Sequence, residues 1–221
     1  MTVADARAAR PINWWKTGFF LLLFAMGLVV VYVDETFVFH PQDPEWAHIA
    51  PFRWLLLVHA SFAIPALILG PLQFSERIRT RAPQIHRTIG WIYVSALLVA
   101  APIAIYIGVN YEQPLTAREQ WFQGGGWLLC TLLGFIAGYN RNFAQHRTWM
   151  ARSYAFCFIF IASRVTDAFP GLIDSADDRQ LSTQLWVLVV LALIIPDLLM
   201  NGADIFKSRR PKRQPVPRPA A

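Results

Sequence analysis

Six apolar runs divide this chain, near residues 17–33, 53–74, 88–108, 121–140, 149–169 and 181–203. Charged residues are almost confined to the segments between them. An apolar run of about 18 or more residues with few charges is long enough to cross a bilayer as a helix. Backbone in lipid must satisfy its own hydrogen bonds, so spanning segments are helices or closed barrels. The alternation that a barrel requires is absent. The expected fold is therefore all-α, a polytopic membrane bundle of six transmembrane helices. Composition agrees: 55% of residues are hydrophobic and 15% charged, where a soluble domain carries about a quarter charged.

The intervening charges segregate by side. Arg7, Arg10 and Lys16 precede the first run; Arg77, Arg79, Arg81 and Arg87 lie in the second connection, and Arg141 and Arg147 in the fourth. Lys207, Arg209, Arg210, Lys212, Arg213 and Arg218 follow the last run. The alternate connections are acidic, with Asp34, Glu35, Asp43 and Glu45, then Glu112 and Glu119, then Asp174, Asp177 and Asp178. Lys and Arg accumulate on the cytoplasmic side of membranes, so both termini are expected there. The formal net charge of +6 then follows from topology, and nucleic acid is not an expected partner. The chain divides into a cytoplasmic segment 1–16, a membrane domain 17–206 and a basic, proline-rich tail 207–221 that is expected to be disordered. A tail of this kind attracts anionic headgroups. The connection 34–52 is the longest and is expected to hold a short helix on the outer surface.

Tryptophan favours the headgroup level. Trp14, Trp15, Trp91 and Trp149 fall at inner ends of the runs, and Trp46, Trp54, Trp121, Trp127 and Trp186 at or near outer ends. Cys130 and Cys157 fall within apolar runs without a CxxC or metal spacing and read as buried hydrophobes. Walker A, GxGxxG, HExxH and GxSxG patterns are absent, and Gly124-Gly125-Gly126 lacks a phosphate-loop context. That run suits close packing or a bend.

One short phrase occurs twice where a basic connection enters an apolar run: Gln84-Ile85-His86-Arg87-Thr88 and Gln145-His146-Arg147-Thr148. The two histidines are 60 residues apart, a suitable length for a duplicated two-helix unit, and the units run in the same direction. His59, His86-Arg87-x-x-Gly90-x-x-Tyr93, His146-Arg147-x-Trp149-Met150-x-Arg152-Ser153-Tyr154 and Arg164 resemble a bacterial family of predicted membrane proteins, domain-of-unknown-function family 2306, over roughly residues 50–200. The resemblance implies a six- or seven-helix membrane protein, without an established reaction. The expected location is the bacterial inner (plasma) membrane, multi-pass.

Ionisable groups within a bilayer are costly and are functional candidates by default. His86 and His146, at matching depth, suit the axial ligands of a single b-type haem. In that case Gly90 leaves room for the ring, and Arg87 and Arg147 meet propionates. A second histidine pair ~20 Å further along the helices is missing, since those positions hold Val99, Ala100, Ile159 and Phe160. The same helix starts also suit a phosphate or carboxylate, because they expose unpaired N–H groups at a positive dipole end. A plainer alternative is that they cap helices and anchor loops. A second polar group comprises His59, Arg164 and Asp167 toward the outer half, fit for a quinone head, a proton path or an internal salt bridge. Asp197 lies at a depth where Arg152 can meet it. Three functions stay open from the residues: a single-haem or quinone-linked redox protein; an accessory subunit of a larger membrane complex, or a lipid- or anion-binding protein; and a small transporter. The partners foreseen are membrane lipids, anionic headgroups at the cytoplasmic face and other subunits.

Overall fold

The computed structural model describes residues 14–33, 39–43, 46–111, 114–167 and 177–205. The tail 207–221 and most of segment 1–16 lie outside the described residues. Eight helices and no strand are present among the described residues: α1 (Trp14–Val33), α2 (Trp46–Ile49), α3 (Arg53–Gln73), α4 (Glu76–Arg81), α5 (Pro83–Asn110), α6 (Pro114–Tyr139), α7 (Phe143–Asp167) and α8 (Asp178–Ile205). Six long helices therefore lie over the six apolar runs, and α2 is a single short turn in the long connection.

Four of them are long and apolar enough to cross a membrane within Arg53–Gln73, Pro83–Asn110, Ala117–Tyr139 and Arg179–Met200. In α1 the described apolar stretch, Gly18–Tyr32, is shorter. Helix α7 is long, but Gln145, His146, Arg147, Arg152 and Arg164 make it too polar to stand out by composition. Large apolar side chains such as Leu21, Trp54, Trp91, Leu129 and Leu199 are exposed. Water would not tolerate so extensive an apolar surface, whereas lipid does.

Consecutive long helices from α3 onward pack antiparallel. His59 of α3 meets Ala100 of α5, Gly124 of α6 lies against Ile105 and Ala101 of α5, and Arg152 of α7 meets Asp197 of α8. Helix α7 packs against α1, α3, α6 and α8, which buries Ser153 and half-buries His146 and Arg152, while Gln145, Arg147 and Arg164 stay exposed. The α6–α7 contact rests on small residues four apart, Gly126, Cys130, Gly134 and Gly138. A Cβ on Gly126 would lie 2.6 Å from Phe156, one on Gly134 2.6 Å from Met150 Sδ, and one on Gly138 2.8 Å from His146 Nδ1. Small residues at this spacing let helix backbones approach in lipid, where packing and hydrogen bonds replace the hydrophobic drive.

Proline connects sequence to packing at Pro71. Proline lacks an N–H, so the carbonyl four residues earlier loses its helical donor. That carbonyl belongs to Leu67, and the Tyr154 hydroxyl donates to it at 3.2 Å. The Tyr154 ring lies over Gly70, where a Cβ would sit 2.3 Å from Cε2.

Candidate functional site

At the core, four side chains from three helices form a closed hydrogen-bonded ring. Trp127 Nε1 donates to Tyr93 Oη at 3.0 Å. Tyr93 Oη is 2.8 Å from Ser153 Oγ, and Ser153 Oγ is 2.5 Å from Thr131 Oγ1. Thr131 donates to the Trp127 carbonyl at 2.9 Å. A hydroxyl has one proton to give. Thr131 spends its own on Trp127, so Ser153 donates to Thr131 and Tyr93 to Ser153. Every donor is used, and the chain ends on the residue where it began. It therefore clamps α5, α6 and α7 and has no exit for a proton. Tyr93 and Ser153 stand 60 residues apart, the offset of the repeated phrase, so positions equally far beyond its two histidines meet here. Trp127 is 6% exposed near the middle of α6, which corrects its placement at an outer interface. Its N–H serves the core ring instead of the headgroup level.

Glu119 also departs from the sequence expectation. It lies inside α6 at 1% exposure, not in an acidic connection. Its Oε1 accepts from Ser182 of α8 at 2.8 Å, and Oε2 has no hydrogen-bond partner. Gln184 of α8 donates to the Ser163 carbonyl at 3.2 Å and to Thr166 Oγ1 of α7.

The repeated phrase occupies one end of the bundle. His146 Nδ1 lies 2.8 Å from the Gly134 carbonyl. A carbonyl only accepts, so Nδ1 carries the proton in that bond. Arg147 Nε and Thr148 Oγ1 donate to carbonyls of their own helix, Phe143 and Ala144. His86, half-buried in the first turns of α5, has an Nδ1 without a hydrogen bond, as does Gln73 Nε2 of α3. The space beside Gly90, one turn after His86, is faced by the Gln73 side chain, whose Oε1 would lie 3.6 Å from a Cβ there. His86 is within electrostatic reach of His146, Arg79 and Arg87. The two histidines of the phrase thus share one end of the bundle, while His59 is far from both. His59 Nδ1 is 2.9 Å from the Ala100 carbonyl, and Ala100 is 14 residues beyond His86, ~21 Å along the helix. Arg164 lies over the Phe160 ring of its own helix at 5.6 Å; the Asp167 side chain lies outside the described residues.

Arg152 and Asp197 form an ion pair between α7 and α8. Nη2 reaches Oδ2 at 2.5 Å and Nε at 3.2 Å, and the guanidinium lies 4.5 Å from the Trp149 ring. The pair lines one end of a groove of about 930 Å³ between α6, α7 and α8. The rest of the groove is apolar and aromatic, with Trp121, Phe122 and Phe156 among its walls. Glu119, the core ring and the groove were not foreseen. Spacing alone offered two clues, the 60-residue offset and the small residues four apart on α6.

No curated protein and no solved structure matches the chain. The family model described as predicted membrane protein, DUF2306, matches residues 56–201. That segment runs from α3 to α8 and holds the paired histidines, the core ring and the Arg152–Asp197 pair, so the chain belongs to the DUF2306 family of predicted membrane proteins.

Proposed function

We propose that this is an integral protein of the bacterial inner membrane that binds phosphate-bearing lipid headgroups at the His86 end of the bundle. In this reading all six long helices cross the bilayer, and both termini lie on the cytoplasmic side with the basic connections. The observation that carries it is the pair of buried nitrogens without partners, His86 Nδ1 and Gln73 Nε2, with Arg79, Arg87 and His146 about His86. The Gln73 amide nitrogen is a donor without an acceptor, and His86 Nδ1 is a second one when it carries the ring proton; beside two arginines such donors favour an anion. The lone pair of the Gln73 amide nitrogen is delocalised into its carbonyl, so only an acceptor can complete that nitrogen.

The test is thermal unfolding of detergent-solubilised protein titrated with phosphatidylglycerol, phosphatidylcholine or inorganic phosphate. Phosphatidylglycerol is expected to raise Tm more than phosphatidylcholine, and an Arg79→Gln/Arg87→Gln variant is expected to lose the difference. Stabilisation by phosphate alone would indicate a soluble anion site, and equal response to both lipids would overturn the reading.

A b-type haem between His86 and His146 is a second reading. It is favoured by the two imidazoles lying within electrostatic reach of each other and by the His146 Nδ1 bond to Gly134, since a ligating histidine usually gives its other N–H to such an acceptor. Absorption spectra of protein made with ample haem decide it. A Soret band lost in His86→Ala supports it, and a flat spectrum overturns it.

A further inference from the structure

The groove between α6 and α8 has no part in the headgroup reading, and its chemistry is different. It extends from Trp121 to Cys130 along α6 and from Val189 to Leu198 along α8, roughly 14 Å on either helix. Its rims, Leu129, Leu193, Ile194 and Leu198, are exposed apolar residues on what would be the lipid face. An occupant therefore enters sideways from the bilayer and carries a long apolar part.

The charged end specifies the head. Arg152 and Asp197 compensate each other, so a charged head would leave one of them without its counter-ion in a medium that penalises this. Both bonds of the pair fall on Asp197 Oδ2. Among the described residues, Oδ1 and three of the five guanidinium N–H groups make no hydrogen bond. The end therefore offers donors to a carbonyl oxygen and an acceptor to a hydroxyl while staying net neutral. Trp149, under the guanidinium, and Phe156, at the same wall, suit a flat ring.

We propose that this groove binds a membrane quinone, its ring at Arg152–Asp197 and its tail between α6 and α8. The oxidised ring takes hydrogen bonds from Arg152, and the quinol hydroxyl donates to Asp197 Oδ1.

Gly125 provides a clean test. It lines the groove, and a Cβ built there meets nothing within 4 Å. Gly125→Leu therefore puts an apolar side chain into the groove from a position where its Cβ is free of neighbours. Trp121 and Trp149 line the groove and report occupancy by quenching. Decylubiquinone titrated into the purified full-length protein is expected to quench tryptophan fluorescence saturably. Gly125→Leu, with an unchanged circular dichroism spectrum, is expected to bind about tenfold or more weakly. The Arg152→Met/Asp197→Met double variant is expected to weaken binding likewise. If the double variant does not fold, Gly125→Leu decides alone. Non-saturable quenching in the wild type, unchanged affinity in Gly125→Leu, or equal competition by decanol would each overturn the proposal. Phosphatidylglycerol stabilisation is independent of Gly125, so the two proposals fail separately.

Discussion

Tyr93 shows how much a single atom can hold. Its hydroxyl accepts from Trp127 and supplies Ser153, at 2% exposure. Tyr93→Phe keeps the ring and removes the oxygen, which leaves the indole N–H buried without an acceptor. Such an orphan costs about 1–3 kcal/mol, so thermal unfolding in detergent is expected at a clearly lower temperature. A Tm within a degree of wild type would show that the hydroxyl ring does not hold α5, α6 and α7 together. Gly70 is constrained from the other direction. A Cβ at that position would sit 2.3 Å from the Tyr154 ring, which is itself fixed by its bond to the carbonyl that Pro71 leaves without a helical donor. Gly70→Ala is therefore expected to destabilise by about 1–3 kcal/mol through overpacking, and the same scan of Tm measures it.

At the scale of elements, α7 explains why composition and packing disagree. Its polar residues are individually costly in lipid, yet most of the described ones bond within the protein. His146 bonds to α6, Ser153 to the core ring and Arg152 to α8. Arg147, Thr148, Ser163 and Thr166 turn to carbonyls of their own helix. The start of α8 shows a device of the opposite kind, on the surface. Asp177 Oδ1 accepts the Arg179 N–H at 2.9 Å, and Oδ2 accepts from Gln180 at 3.3 Å. These bonds, the Arg179 N–H first, lower the Asp177 pKa. A carboxyl lowered by folding contributes its full stabilisation above the ordinary range near ~3.9 and loses it as pH falls through the folded value. The protection of amides in the first turn of α8, taken relative to the unstructured exchange rate at the same pH, is therefore expected to fall on acidification below that range. Asp177→Asn should remove most of this pH dependence, and protection that does not change with pH in the wild type would count against the cap.

For the whole molecule, the Arg152–Asp197 pair is the charged tie between α7 and α8. Arg152→Met alone leaves Asp197 without its counter-ion and is expected to cost about 3 kcal/mol. Arg152→Met/Asp197→Met removes both charges and should recover most of that loss. Unfolding of the single and double variants side by side measures this, and equal losses would refute the coupling. The topology proposed above is open to test because Cys130 and Cys157 are buried and leave surface labelling to introduced cysteines. With α7 crossing, cysteines at positions 141 and 174 label from opposite sides of the membrane. Labelling from one side would return α7 to the interior of a bundle with fewer crossings.

Hydropathy and charge patterning by themselves determined the class of this protein, the positions of its long helices and the pair of His-Arg-Thr starts. These are local properties: an apolar run in lipid has no stable option but a helix, and run lengths are read directly along the chain. Only the tertiary structure decided which side chains meet. The Tyr93–Ser153–Thr131–Trp127 ring, the bond from Ser182 to Glu119 and the groove depend on how far each helix is rotated and slid against its neighbour. Those quantities are set by contacts such as Gly134 against Met150 and Gly70 against Tyr154, between residues far apart in sequence. Hydropathy treats Glu119 as a loop acid and Trp127 as an interfacial ring because it counts each residue alone. Burial gave both a different role: Ser182 of α8 donates to Glu119 Oε1, and Tyr93 of α5 accepts from Trp127 Nε1, partners that no count of single residues can supply.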